Sequence, residues 1–180
     1  MKKLVLAFAA VSLLATPAFS QSVGEKTGIN AMIGVAPTTE DFVKEVAISD
    51  MFELESSKLA EANAEDANIK AFAAEMTRDH TATSTELKGL VSGGKVKAEM
   101  PTALDSSHQR KLDTLKGLKG AAFDKQYDSD QESAHKSAVS VFERYSKGGD
   151  NADLKAFAAK TLPLLQEHLK AAQDIAQNLK

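Results

Sequence analysis

The sequence of 180 residues contains no cysteine and no tryptophan, and aromatic side chains make up only 6% of it. Without cysteine the chain has no disulfide, no thiolate-bound metal, no iron–sulfur cluster and no cysteine nucleophile. The low numbers of aromatic residues, glycine (10) and proline (4) argue against an all-β sandwich or barrel. Because hydrophobic residues still account for 43%, the chain has enough apolar material for the core of one globular domain.

The sequence also lacks an excess of positive charge, since its formal net charge is −3 at pH 7. A protein that binds nucleic acid needs basic side chains to neutralise phosphates, so this balance argues against nucleic acid as a partner. No Gly-rich phosphate loop, nucleophile elbow or Ser/His/Asp arrangement stands out. The motifs of several common enzyme classes are therefore missing.

The first twenty residues have the pattern of a cleaved secretory signal. Lys2 and Lys3 precede an apolar run over residues 4–15, and small residues at Ala18 and Ser20 precede Gln21. The run has about a dozen residues, fewer than the roughly 20 that a membrane-spanning helix needs. We therefore predict a signal peptide over 1–20, cleavage near Ser20/Gln21 and a periplasmic or secreted protein without a transmembrane segment. A retained N-terminal anchor is the alternative.

Beyond this signal, the hydrophobic pattern predicts an all-α fold. Residues 21–38 contain glycines and Pro37 without a clear period, and we interpret them as a flexible leader. Four long amphipathic segments follow, with apolar residues in the second and fourth stepping alternately by four and three positions, as in helices packed in a bundle. They cover about 39–63, 67–91, 121–147 and 152–178, and a short helix is predicted near 105–117.

The lengths of the connections predict how these helices are joined. The first and second helices are separated by a few residues, as are the third and fourth, so each pair should form an antiparallel hairpin. The long connection between the second and third helices allows a crossover that contains the short helix. We therefore predict a ferritin-like four-helix bundle over residues 39–180.

Three of the four histidines are distributed one to a helix: His80 in the second, His135 in the third and His168 in the fourth. Each follows its helix start by about 13 to 16 residues, roughly 20 Å at 1.5 Å per residue, so all three should occupy one layer. His80 and His168 fall on the apolar seams, and His135 lies beside its seam. The fourth, His108, lies in the crossover among polar residues, where we expect it to be exposed.

The first helix has no histidine but carries acidic residues at the same height: Asp50, Glu53 and Glu55. We choose Glu53 as the inward carboxylate, because its line along the helix also carries small residues that leave room. Imidazoles and a carboxylate that converge in a bundle core make a site for zinc, iron, manganese or copper. Nearby acids that could orient a histidine are Asp79, Glu132 and Glu167. A metal-free polar layer, with each histidine bonded to a neighbouring carboxylate or carbonyl, is the alternative.

Several stretches of the chain resemble an exported bacterial family called domain of unknown function 4142. They are FVKEVAISDMFELESSKLA (42–60), IKAFAAEMTRDHTATSTELKGL (69–90), PTALDSSHQRKLDTLKG (101–117), FDKQYDSDQESAHKSAVSVFERY (123–145) and LKAFAAKTLPLLQEHLKAA (154–172). The resemblance implies a ferritin-like helical bundle. It also implies that the family pattern, an acid in the first helix and a histidine in each later one, falls on Glu53, His80, His135 and His168.

The sequence departs from the ligand pattern of ferritin-like di-iron proteins, which use Glu-x-x-His in two helices. Only Glu132 and His135 have that spacing, whereas Thr77 precedes His80 and Leu165 precedes His168. This departure favours a histidine-rich mononuclear site. Our leading hypothesis is an exported metal-binding protein in metal handling or oxidative stress. The competing hypotheses are a structural or stress-related binding domain with a metal-free Glu/His layer, and an oxidase or peroxidase, which needs an open coordination position.

Overall fold

The computed structural model describes residues 22–26 and 28–179, and all regular elements in this part of the chain are helices. Two are short, α1 (Val23–Lys26) and α2 (Ile29–Ile33). The others are α3 (Thr39–Asn63), α4 (Ala67–Ser92), α5 (Ser106–Gly117), α6 (Gly120–Gly148) and α7 (Ala152–Ala176). The predicted all-α fold is confirmed, and the five predicted helices agree with α3 to α7 within two residues at each end. The predicted signal, residues 1–20, lies outside the described residues.

Side-chain caps explain where three of the long helices begin. Thr38 accepts a hydrogen bond from the backbone N–H of Asp41 at the start of α3. Asp66 accepts from Asn68 N at 2.7 Å at the start of α4, and Asn151 from Leu154 N at 3.0 Å at the start of α7. Each cap satisfies a backbone donor that has no partner within the helix.

Contacts between residues at opposite ends of their helices define the helix directions. Phe42, near the start of α3, stacks on Tyr145 near the end of α6, with ring centroids 4.1 Å apart. Similarly, Lys160 near the start of α7 pairs with Glu86 near the end of α4. Helix α3 is therefore antiparallel to α6, and α4 to α7. Because the tight turns at 64–66 and 149–151 also reverse the chain, α4 and α6 run in the same direction.

The connection between α4 and α6 therefore returns along the length of the helices, and α5 forms part of it. Helix α5 packs against α3 and α6 through its buried Leu112 and Leu115. Lys111 of α5 pairs with Asp130 of α6 at 3.4 Å, and His108 lies 5.4 Å from Phe52 of α3 between ring centroids. As a result α3 is covered by α5 on a side that would otherwise face solvent.

The apolar core is divided into two clusters, one near each end of the long helices. One cluster joins the N-terminal half of α3, the C-terminal half of α6 and the start of α7, and it includes Phe42, Tyr145 and Phe157. The other lies at the opposite end of the helices and includes Phe72 and Met76 of α4 and Tyr127 of α6. The buried histidines lie between these clusters, at the middle of the helices. Among the described residues, no helix has the length and apolarity that a membrane crossing requires.

The segment that we predicted to be a flexible leader contains α1 and α2 and contacts α6. Arg144 of α6 donates to both carboxylate oxygens of Glu25 and, at 2.6 Å, to the carbonyl of Val35. The side chains of Arg144 and Glu25 are only 8% and 3% exposed. Gly28 precedes α2 and Gly34 follows it, with positive φ angles of 73° and 72° that glycine adopts without strain.

Candidate metal centre

Helices α4, α6 and α7 bring His80, His135 and His168 together at the middle of the protein. The three histidines are 3%, 1% and 2% exposed. Their ring centroids are 5.6 Å apart for His80 and His135, 5.7 Å for His80 and His168, and 5.3 Å for His135 and His168. The predicted common layer of three histidines is therefore present in the structure.

Each of the three rings uses one nitrogen for a hydrogen bond directed away from the centre. His80 Nδ1 lies 2.8 Å from Asp50 Oδ1, and His168 Nε2 lies 3.1 Å from Asp79 Oδ2. His135 Nδ1 donates to the backbone carbonyl of Gln131 at 2.9 Å. Because carbonyl and carboxylate oxygens only accept, these contacts place a proton on the outer nitrogen of each ring. In the neutral ring, the lone pair is then on the other nitrogen.

The remaining nitrogens, His80 Nε2, His135 Nε2 and His168 Nδ1, are buried and have no hydrogen-bond partner. The three histidines offer one ligand atom each, and these atoms all lie within 4.8 Å of one another. Buried polar atoms without partners are rare, because each loses its hydrogen bond to water on folding. Three such nitrogens, close together and without partners, form a ligand set for a transition metal.

Burial keeps two of the three imidazoles neutral. Burial, together with the nearby charge of His80, lowers the pKa of His135 to about 3 and that of His168 to about 4. Burial also acts to lower the pKa of His80, but the hydrogen bond and charge of Asp50 outweigh it, so this pKa is raised overall. At neutral pH, His135 and His168 therefore present lone pairs without losing a proton first.

Glu53 of α3 is 1% exposed, and neither of its carboxylate oxygens has a hydrogen-bond partner. Burial raises its pKa to about 7, against the attraction of His80 and the nearby side-chain amide of Gln131. The predicted inward orientation of Glu53 thus agrees with the structure. However, the compact set within 4.8 Å contains the three histidines and not Glu53, so its oxygens lie beyond that distance from at least one histidine nitrogen.

The structure also identifies which acids contact the histidines. Asp79 contacts His168 across the α4–α7 interface, not its sequence neighbour His80. Glu132 instead pairs with Lys136 at 2.7 Å, and Glu167 is exposed, so neither contacts a histidine.

Sequence reasoning missed the role of Asp50. This residue is 3% exposed and also accepts from Ser84 Oγ at 3.0 Å. Asp50 lies on the same helix face as Val43, Ala47 and Leu54, at spacings of three and four residues. This position was a signal of burial, because a polar residue on an apolar helix face is directed at the core.

His108, which we expected to be exposed, is 29% exposed in its side chain and lies outside the centre. It contacts Asp105 at 2.9 Å and the ring of Phe52. Met76 packs in the apolar cluster with Phe72. Phe72 borders the centre, with its ring 6.5 Å from those of both His135 and His168.

A second group of ligand atoms lies on the surface beside the centre. Atoms of Glu75, Asp79 and His168 are within 4.8 Å of one another. Arg78 neutralises both acids, at 2.7 Å from Asp79 and 3.5 Å from Glu75. Hydrogen bonding to Arg78 also lowers the pKa of Asp79. In this group, Asp79 accepts a hydrogen bond from His168 and is itself paired with Arg78, outside the three-histidine centre.

The fold is shared with a solved structure described as "CopM in the Cu(II)-bound form". The two have a TM-score of 0.68 and 16% sequence identity, over 81% of this chain and 100% of that chain. At this level of identity the likeness concerns the helical fold alone. No curated protein matches the chain in sequence.

The model of the family described as "Domain of unknown function (DUF4142)" matches residues 25–175. The match includes Glu53 and the three histidines, and it confirms the resemblance inferred from the sequence. It also includes part of the segment that holds α1 and α2. The chain therefore belongs to the domain of unknown function 4142 family.

Proposed function

We propose that this protein binds a transition metal in its core through His80, His135 and His168, and that it functions in metal handling. The observation that carries the proposal is the arrangement of the three rings. Each has its outer nitrogen bonded to an acceptor and its inner nitrogen buried without a partner. Metal-binding histidines commonly have such outer acceptors, which fix the tautomer and the ring orientation.

The charges around the three histidines also favour a divalent cation. Asp50 and Glu53 are buried carboxyl groups on the α3 side, while Arg78 neutralises Asp79 from outside. A buried carboxylate without a counter-charge is costly, and a divalent ion beside Asp50 and Glu53 would compensate both. Glu53 completes the site on the α3 side in this proposal.

Three imidazoles with one carboxylate suit zinc, copper or iron better than manganese, which favours oxygen ligands. The CopM structure, which shares the fold, is in a Cu(II)-bound form, and this supports testing copper first. Zinc, iron, manganese and copper all belong in the test.

We further propose that the long helices form a four-helix bundle with a ferritin-like crossover. The supporting observations are the antiparallel α3–α6 and α4–α7 pairs and the connection through α5 that joins the parallel α4 and α6. The predicted signal at residues 1–20 supports export, with the metal site then in the periplasm or outside the cell.

The test is the metal content of untagged protein purified after export, compared with His80→Ala and with His108→Ala as a control outside the centre. We expect about one equivalent of a transition metal in the wild type and in His108→Ala, and a loss in His80→Ala. Chelation should lower the melting temperature of the wild type and leave that of His80→Ala unchanged.

The metal-free polar layer predicts a different result. His80→Ala would then be destabilised to the same extent with and without chelator, since the histidines would act only through hydrogen bonds. Absence of metal in the wild type, together with no thermal stabilisation by zinc, iron, manganese or copper, would contradict metal binding. If His80→Ala does not fold, His135→Gln keeps a polar side chain and provides the same comparison.

A further inference from the structure

We propose that the metal keeps an exchangeable fourth position on the α3 side, occupied by water, and that Glu53 and Gln131 accept hydrogen bonds from that water. This inference rests on the metal site proposed above. It changes the role of Glu53 from direct ligand to hydrogen-bond acceptor. It also supplies the open coordination position that a reactive metal requires and that a site closed by protein ligands lacks.

The separations between the ligand atoms distinguish the three histidines from Glu53. Histidine nitrogens and carboxylate oxygens bind zinc at about 2.0–2.2 Å, so two atoms bound to one ion are separated by at most about 4.4 Å. The three histidines satisfy this within a small contraction, since their ligand atoms lie within 4.8 Å of one another. Glu53 does not belong to this set of atoms within 4.8 Å. A water molecule between the ion and Glu53 would connect the carboxylate to the metal.

The α3 side of the site also has more hydrogen-bond acceptors than donors. Both oxygens of Glu53 and Oε1 of Gln131 are buried and have no hydrogen-bond partner. The amide nitrogen of Gln131 already donates to Ser56 Oγ at 3.3 Å. When Glu53 is ionised beside a bound metal, these three acceptors need a donor, and water supplies two O–H groups while its oxygen binds the metal.

Gln131 connects this region to the histidines through its own backbone. Its carbonyl accepts from His135 Nδ1, and its side chain lies on the side of α6 that faces Ser56 of α3. Gln131 is 0% exposed, and Ser57 and Tyr127 bond to each other nearby at 2.9 Å between their hydroxyl groups. A fourth ligand at this position would therefore be enclosed by protein side chains.

The experiment uses the full exported protein loaded with copper(II) alone and transferred to ¹⁷O-enriched water. We expect pulsed electron paramagnetic resonance to show three imidazole nitrogens and an ¹⁷O coupling from one bound, exchangeable water. Glu53→Ala should retain that ¹⁷O coupling, because the carboxylate is not a ligand. Gln131→Leu should shift the proton coupling of the water, whereas Gln173→Leu, on α7, should not.

Two results would overturn the inference while leaving metal binding intact. One is a copper site with three nitrogens, no ¹⁷O coupling in the wild type and the appearance of that coupling only in Glu53→Ala, which would make Glu53 the direct fourth ligand. The other is a water whose proton coupling is the same in Gln131→Leu and the wild type. Failure of the protein to bind copper or any other metal would instead contradict the proposed function.

Discussion

Asp50 on α3 and His80 on α4 are joined by a 2.8 Å hydrogen bond between Oδ1 and Nδ1, with both side chains only 4% exposed. The bond holds Nδ1 of the His80 ring and leaves Nε2 buried without a partner. It also explains why the pKa of His80 is raised although burial acts to lower it. Asp50 therefore controls both the orientation and the charge of one proposed ligand.

Asp50→Asn should weaken metal affinity by about 10- to 100-fold while leaving the stoichiometry at one, because an outer partner tunes a ligand without binding the metal. Asp79→Asn should have a smaller effect, since Asp79 is 13% exposed and is shared with Arg78. Competition with a chelator of known affinity measures both. Equal affinity in Asp50→Asn and in a control at exposed Glu143, Glu143→Gln, would show that Asp50 has no such role.

Glu53→Gln should change stability in opposite directions with and without metal. In the metal-free protein the pKa of Glu53 is raised from 4.5 to about 7, so folding favours the protonated carboxyl. The contribution of the Glu53 carboxyl to folding stability is complete at low pH and is lost as pH rises from 4.5 through about 7. Metal-free Glu53→Gln should therefore equal the wild type near pH 4.5 and exceed its stability above pH 7, by up to about 3 kcal/mol.

In the metal-loaded protein the same substitution removes a compensating negative charge and should lower metal affinity and melting temperature at pH 8. Urea unfolding across pH measures the stability change of the metal-free protein when chelator is present and that of the metal-loaded protein when metal is present. A wild type that is more stable than Glu53→Gln at pH 8 in the presence of chelator would contradict the buried, unpaired state of this carboxyl.

Arg144→Ala should release the segment that contains α1 and α2 while preserving the metal centre. Arg144 and Glu25 form a buried pair, and removing one partner leaves an uncompensated charge, which typically costs 3–5 kcal/mol when the charge stays buried. Residues 22–38 can avoid this cost by detaching from α6. We expect faster amide hydrogen exchange over 29–35 and unchanged metal affinity.

The matched control is Lys147→Ala, which removes an exposed ion pair with Glu143 on the same helix. It should leave the exchange of residues 29–35 unaltered, because exposed pairs contribute little. Equal protection of this segment in Arg144→Ala and the wild type would show that the pair does not hold it.

The helices and the three histidines could be predicted from sequence because local signals define them. Helix α4 begins after Asp66, which caps it, and in α4 and α7 the apolar steps of four and three place His80 and His168 on buried faces. A midpoint in one helix lies near the midpoints of its neighbours whatever their directions. The common layer therefore required no knowledge of the topology.

The α3 side of the site was harder to predict because α3 has no single apolar stripe. It packs against α4 and α6 and is also covered by α5, so polar residues on several of its faces are buried: Asp41, Asp50, Glu53, Ser56 and Ser57. Its sequence pattern could not rank Asp50 against Glu53. The attachment of Glu25 to Arg144 was also not predictable, since it joins residues 119 positions apart.

The most direct test of the metal centre is anomalous X-ray scattering from crystals of the full exported protein loaded with copper(II) or zinc(II). We predict one strong peak that lies within bonding distance of His80 Nε2, His135 Nε2 and His168 Nδ1. A peak located only at surface groups such as His108 and Asp105, or no peak at saturating metal, would contradict the central claim that these three histidines form a metal site.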